Sequence, residues 1–215
     1  MPPSPVAPTS SSTAPAAAAG RAAATGRVIY LHGFRSSAQS FKARLLDRRM
    51  QSLGLAERFV APDLPPSPAA AMALVRQQIG PDRDDLLVGS SLGGCYATWL
   101  AERCGARAAL LNPAVHPARD LVGFVGEQTG YHDGQPFRFE RHYLDELRTI
   151  EVESTPISDP QRYLLIAAKG DELLDWREMV ARYPGARHRI LDGSDHGMSD
   201  FADYLDEVLS FGGLV

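Results

Sequence analysis

From Arg27 onward, short apolar runs alternate with amphipathic stretches. "RVIYLHG", "ERFVAPD", "DLLVGSS", "RAALLNPAV", "RYLLIAAKGD" and "RHRILDG" do not alternate polar with apolar residues. Such runs predict strands buried on both faces of a sheet. The segments between them read as helices. Ser67 is placed to cap one that has Pro68 at its first position, Met72, Val75 and Ile79 on one face, and Gly80-Pro81 as its stop. Near the C-terminus, Phe201, Tyr204, Leu205, Val208 and Leu209 trace a helical stripe that reads as core packing. Alternating strands and helices predict a mostly parallel sheet of about six strands, right-handed crossovers and helices on both faces. No internal repeat stands out.

Two regions break the rhythm. Between His116 and about Asp159 no strand-like run occurs; Phe124, Tyr131, Phe137, Phe139 and Tyr143 mix there with glycine, proline and charge. A long irregular segment inside a compact domain is uncommon and usually functional, so residues 116–159 are expected to form a small, partly helical cap over one end of the sheet. A surface excursion of no consequence is the alternative. Residues 1–26 are nearly all Pro, Ala, Ser and Thr. They offer too little apolar surface to offset ordering entropy and read as a disordered leader to a domain spanning 27–215. The leader lacks the basic start and apolar run of a secretory signal, although the alanines around Arg21 leave a weak case for targeting.

The 215 residues are 44% hydrophobic and 22% charged, with a net charge of −4, the composition of a soluble globular protein. Mild acidity without a basic block argues against nucleic acid or an anionic membrane as partner. No segment approaches the roughly 18 uninterrupted apolar residues of a membrane span. Cys95 and Cys104 fall in one predicted helix without C-x-x-C spacing and read as reduced thiols of a cytoplasmic protein.

Chemistry concentrates in "LLVGSSLGGCYATWL", Leu86 to Leu100. A strand through Val88 and a helix from Cys95 are joined by Gly89-Ser90-Ser91-Leu92-Gly93, a G-x-S-x-G in strand-turn-helix context. Ser91 is the expected nucleophile, at a helix N-terminus that favours developing negative charge. Ser90 fails the spacing, because Val88 and Leu92 stand where its glycines should be. A serine hydroxyl needs a base. His196, in "ILDGSDHGMSD" between the last strand and the last helix, is the candidate. His116, His132 and His142 fall in the cap, and His188 begins a strand and reads as structural. The base in turn needs a carboxylate. "LLIAAKGDELLDW" offers Asp171, Glu172 and Asp175; Asp171 is first after its strand and is the choice, with Asp175 as the runner-up, while Asp195 abuts His196 and should point elsewhere. The order Ser91, Asp171, His196 is the nucleophile-acid-base order of α/β-hydrolases.

An oxyanion needs donors, expected from the backbone N–H groups of Leu92 and of Phe34 in "YLHGFRSS". His32 is expected to brace that loop and border the substrate pocket, with Tyr96, Phe124, Tyr131 and Phe139 as further lining candidates. Neither H-E-x-x-H nor clustered Cys/His spacing is present, and neither is a dinucleotide or phosphate-loop motif, so no metal or cofactor is expected.

"YLHGFRSS", "DLPPSP", "VGSSLGGCYATWL", "LNPAV", "AAKGDELLDWREMVARY" and "GSDHGMSDFADYL" together resemble the YqiA/YcfP-type bacterial esterases, small proteins of the α/β-hydrolase fold. The resemblance runs in order from Val28 to the C-terminal helix. It implies an esterase with nucleophile Ser91, acid Asp171, base His196 and an oxyanion loop at Gly33-Phe34. The leader is outside the family pattern. Cys95 stands where an aromatic is expected and His116 where an arginine is expected, departures that bear on substrate preference. The expected reaction is hydrolysis of a small-molecule carboxylic ester or thioester of a small to medium acyl group through an acyl-serine. An acyltransferase with the same three residues, or an inactive binding or scaffolding protein on this fold, are the alternatives.

Overall fold

Parallel pairing organises the molecule. The computed structural model describes residues 1, 26–132 and 134–215, so most of the leader lies outside the described residues. In chain order the elements are β1 Val28–Leu31, α1 Phe41–Ser52, β2 Phe59–Val60, α2 Pro68–Leu74, β3 Leu86–Ser90, α3 Leu92–Cys104, β4 Arg107–Leu111 and α4 Pro117–Asp120. There follow β5 Gly126–Thr129, β6 Pro136–Phe139, α5 Tyr143–Glu153, β7 Tyr163–Ala168, α6 Trp176–Arg182, β8 Arg187–Leu191 and α7 Leu205–Gly212. Six strands form one parallel sheet in the order β2-β1-β3-β4-β7-β8.

Because successive strand residues face opposite sides, each strand feeds two cores. Ile29, Leu31, Leu87, Leu110 and Leu165 pack with α2, α3, α5 and α6; Val28, Tyr30, Val88, Leu111 and Ile166 pack with α1 and α7. Every residue of β1, β3 and β7 is buried. Strand β8 departs from that expectation. Arg187, His188 and Arg189 are exposed on an edge strand, where charge discourages pairing with a second sheet.

Three local expectations need correction. Residues 116–159 contain an antiparallel hairpin, β5–β6, with Gly126 opposite Phe139 and Thr129 opposite Pro136. Its strands have four residues each, and only the alternation of inward Phe137 and Phe139 with outward Pro136 and Arg138 marks them. Helix α5, from the same segment, buries Leu144, Leu147 and Ile150 in the main core. The helix begun by Ser67 is α-helical only to Leu74; Val75–Ile79 widen into a π turn that Gly80 closes at φ 58°. The C-terminal stripe starts in a 3-10 turn, Phe201–Asp203, before α7 begins. Among the described residues no helix is long and apolar enough to cross a membrane.

Candidate active site

The chain reverses direction across the sheet at β1, with β2 on one side and β3 on the other. Loops leaving the carboxyl ends of β1 and β3 diverge there, which opens a crevice. Ser91 stands at the end of β3 with φ 55° and ψ −120°, and α3 starts at the next residue. That conformation is strained for a residue with a Cβ, and a tight surround must hold it. Ser91 N–H donates to Leu111 O (3.0 Å), while Ser91 O accepts from Gly94 N (2.9 Å) and Ala114 N (3.0 Å). The glycines are required by close approach. A Cβ on Gly89 would lie 2.2 Å from Gly93 O, and one on Gly93 would lie 2.0 Å from Leu31 O.

Two further loops converge on Ser91. Asp171 follows β7 and His196 follows β8. His196 Nδ1 is 2.8 Å from Asp171 Oδ2, and His196 Nε2 is 3.0 Å from Ser91 Oγ. With the Nδ1 proton directed at the carboxylate, Nε2 is free to accept from the serine hydroxyl. The Asp171 side chain is fully buried, and its Oδ1 accepts from Leu173 N (2.9 Å) and Leu174 N (2.8 Å). Those bonds fix the carboxylate plane. The alternative acid, Asp175, instead caps α6 by accepting from Arg177 N (2.9 Å). Asp195 turns away from the imidazole to accept from Ser199 N (3.0 Å), as its adjacency to His196 suggests.

Three polar anchors of the His196 loop hold it in ways the sequence does not show, and of the three only Glu172 is among the candidate acids. Asn112, fully buried just after β4 with φ 43°, donates to Asp195 O (2.9 Å) and accepts from Ala168 N (2.8 Å). It ties β4, β7 and the loop together. Its signal was a polar residue breaking the apolar run in "LLNPAV". Glu172 accepts from His196 N (3.0 Å). Lys42, near the start of α1, donates through Nζ to Gly197 O. Its signal was a lysine at an end of a helix that disfavours cations.

The loop after β1 brings Gly33 against Ser91; a Cβ there would lie 3.1 Å from Ser91 Cβ. Phe34 and Leu92 line the cavity that contains Ser91, and among the described residues neither backbone N–H donates to a protein acceptor. His32 is buried and accepts from Leu64 N through Nε2 (2.9 Å). Its Nδ1–H therefore donates to Gly33 O (3.0 Å), and burial lowers its pKa. Arg35 stitches the same loop to the hairpin, donating to Thr129 O (2.7 Å) and accepting from Tyr131 N (2.8 Å), its guanidinium 4.4 Å from the Tyr131 ring.

Phe34 packs edge-on against Phe124, Phe137 and Phe139 and divides two cavities. One, of about 410 Å³, contains Ser91 and His196 and is walled by Leu121, Phe124, Tyr131 and Leu174. The other, of about 330 Å³, lies across Phe34 and is lined by His32, Asp63, Leu64 and Tyr96. Of the lining candidates, Phe124 and Tyr131 thus face the serine, while His32 and Tyr96 face the second cavity. Phe139 is fully buried beneath Phe34 and lines neither.

Among the cap histidines, His132 reaches the serine cavity. His116 pairs with Glu151 (2.7 Å), and His142 packs edge-on against Tyr143. His188 Nε2 bonds to Tyr183 O (2.7 Å), a structural role. Cys95 and Cys104 are free thiols. Burial raises the pKa of Cys95 to about 12, so it is an inert core group. Among the described residues no cluster of three or more His, Cys, Asp or Glu is placed to hold a metal.

A parallel sheet that carries a serine on a strained strand-to-helix turn, with histidine and aspartate delivered by its last two strand-end loops, is the architecture of the α/β-hydrolase fold. Solved structures agree. A hydrolase of Agrobacterium vitis S4 superposes with a TM-score of 0.65 at 19% identity, covering 86% of this chain and 87% of that one. Est1E of Butyrivibrio proteoclasticus, with ferulic acid bound, gives 0.64 at 18% over 86% and 87%. The chain belongs to UPF0227, described as an uncharacterised protein family, whose pattern matches residues 27–213. This agrees with the YqiA/YcfP-type motifs. A UPF0227 protein of Serratia proteamaculans is 26% identical over 194 residues, 86% of this chain and 97% of that protein.

Proposed function

We propose that the protein is a serine hydrolase of small-molecule carboxylic esters or thioesters. One observation carries the reading: Ser91 Oγ, His196 and Asp171 form a continuous hydrogen-bonded chain, 3.0 and 2.8 Å long at its two links, at the mouth of a cavity. His196 Nε2 takes the hydroxyl proton as Ser91 Oγ attacks the acyl carbonyl. Charge develops on the carbonyl oxygen, and the free N–H groups of Leu92 and Phe34 stabilise it. Asp171 holds the imidazole in the required tautomer and stabilises the imidazolium. That proton then passes to the leaving alkoxide or thiolate, an acyl-serine remains, and water activated by His196 releases the acid. No cofactor takes part, and neither nucleic acid nor a membrane is a partner in this reading. Free thiols fit a reducing compartment, the cytoplasm.

The test is labelling with a fluorophosphonate, followed by mass-spectrometric mapping. A single adduct on Ser91, absent in Ser91→Ala, is expected. Folded protein that takes no label would sink the reading and favour the binding or scaffolding alternative. Transfer of the acyl group to an alcohol in preference to water would reassign it as an acyltransferase.

A further inference from the structure

Only two of the 22 basic residues are lysines, Lys42 and Lys169. Lys169 pairs with Asp192 at the surface (2.6 Å). Lys42 is different. It is 8% exposed, it lines the cavity that holds Ser91, and among the described residues no carboxylate lies within ion-pair distance of it. Among the described residues its hydrogen-bond partner is the carbonyl of Gly197, which takes one of its three donors. Asp195 is the carboxylate that acts on it, from beyond contact, and is already bonded to Ser199.

A buried cation without a counter-ion costs stability, and this one also sits at the positive end of α1. The helix cap leaves donors free at that end. Ser40 Oγ accepts from Ala43 N (3.3 Å), but the N–H groups of Phe41 and Lys42 donate to no protein acceptor among the described residues. Ser40, Phe41 and Lys42 all line the cavity, as do Tyr30 and Ser90 beneath them. Burial lowers the Lys42 pKa to about 8, which leaves the ammonium mostly protonated at neutral pH. Leu121, Phe124, Leu173 and Leu174 form an apolar part of the wall, and Tyr131 and His132 are polar points on it. Asp120, the last residue of α4 and held by Arg119 (2.8 Å), also lines it and disfavours a second negative charge there. The site is thus cationic at Lys42, apolar along one wall and acidic at Asp120, which leaves the Lys42 end as the place for an anion.

We infer that the substrate is an ester carrying a carboxylate, which the Lys42 ammonium receives in the serine cavity. This deepens the hydrolase reading and rests on it. The missing counter-ion of Lys42 is then supplied by the substrate, and the binding energy so gained favours charged over neutral esters of one shape.

Two matched pairs test this and locate the charge. p-Nitrophenyl monoadipate against the p-nitrophenyl ester of adipamic acid places it on the acyl side; 4-acetoxybenzoate against 4-acetoxybenzamide places it on the leaving group. In at least one pair kcat/KM is expected to favour the anion by about tenfold or more, the range of a charged hydrogen bond. Lys42→Met and Lys42→Gln should collapse that ratio, whatever they do to the neutral ester. Equal losses on both members of each pair would reduce Lys42 to an anchor of the His196 loop and overturn the inference, as would the absence of any preference in the unaltered protein. A binding readout separates this from failure of the hydrolase reading. By calorimetry, Ser91→Ala should bind the anion more tightly than the amide in at least one of two pairs, monomethyl adipate against methyl adipamate and 4-acetoxybenzoate against 4-acetoxybenzamide, and Lys42→Met in the same background should remove the difference. Equal binding within both pairs would sink the inference even if no ester is ever turned over.

Discussion

Ser91 and His196, the proposed nucleophile and base, reach the same point by different physics. Ser91 is held by backbone contact. β3, α3 and the end of β1 press so closely that Gly89 and Gly93 have no room for a Cβ. His196 is held by separate polar anchors at the rim: Asn112, Glu172 and Lys42 on the main chain, Asp171 on the ring. Steric constraint of the first kind is shared with the core, so damaging it damages the fold. Constraint of the second kind is divisible. Individual anchors can be lost while the sheet survives.

The largest expected effect falls on the ring's own anchor. Asp171→Asn should lower turnover by about 10,000-fold, through the wrong tautomer, with an unchanged melting temperature. Asp175→Asn should leave turnover intact, since Asp175 caps α6; the reverse outcome in ester assays would move the acid to Asp175. Next comes the elbow. Gly93→Ala drives a Cβ into Leu31 O and should cost more than about 3 kcal/mol in urea denaturation, with activity lost alongside. Retained stability there would break the contrast between the two regions.

A smaller loss is expected from Asn112→Ala, which strands the buried Ala168 N–H and frees Asp195 O: about 1–3 kcal/mol by denaturation. Turnover should fall further than stability alone accounts for, because the His196 loop loosens; a stability loss with kcat unchanged would show that the loop holds without it. The smallest effect concerns His32. Burial lowers its pKa below the unfolded value, so the unfolded chain binds more protons below about pH 6.5 and stability declines as pH falls through that region. Melting between pH 7 and 5 should therefore be less pH-sensitive in His32→Gln than in the unaltered protein. Equal slopes would mean that His32 does not titrate with unfolding.

The same contrast explains what could be read in advance. Buried strands announce themselves as apolar runs, and the elbow as glycines at fixed spacing, because both obey constraints local to a few residues. The β5–β6 hairpin was hidden because its strands are short and mostly polar, and their pairing pays off only against Phe34. The pocket candidates divided for a similar reason. Tyr96 and Phe124 carry equal aromatic promise in the chain, yet the Phe34 ring puts them in different cavities.

The amino-acid order alone therefore determined the parallel α/β sheet, the place of Ser91 and the succession Ser91, Asp171, His196, since each follows from periodicity, turn sterics or chain order. Tertiary structure decided the rest. It selected Asp171 over Asp175, four residues away, because only the first lies where the β7 loop meets the imidazole. It made Asn112 a clamp between two strands and a loop, and it buried Lys42 beside the serine with no counter-ion among the described residues. Solvation and hydrogen-bond partners depend on segments far apart in the chain, and no local pattern carries them.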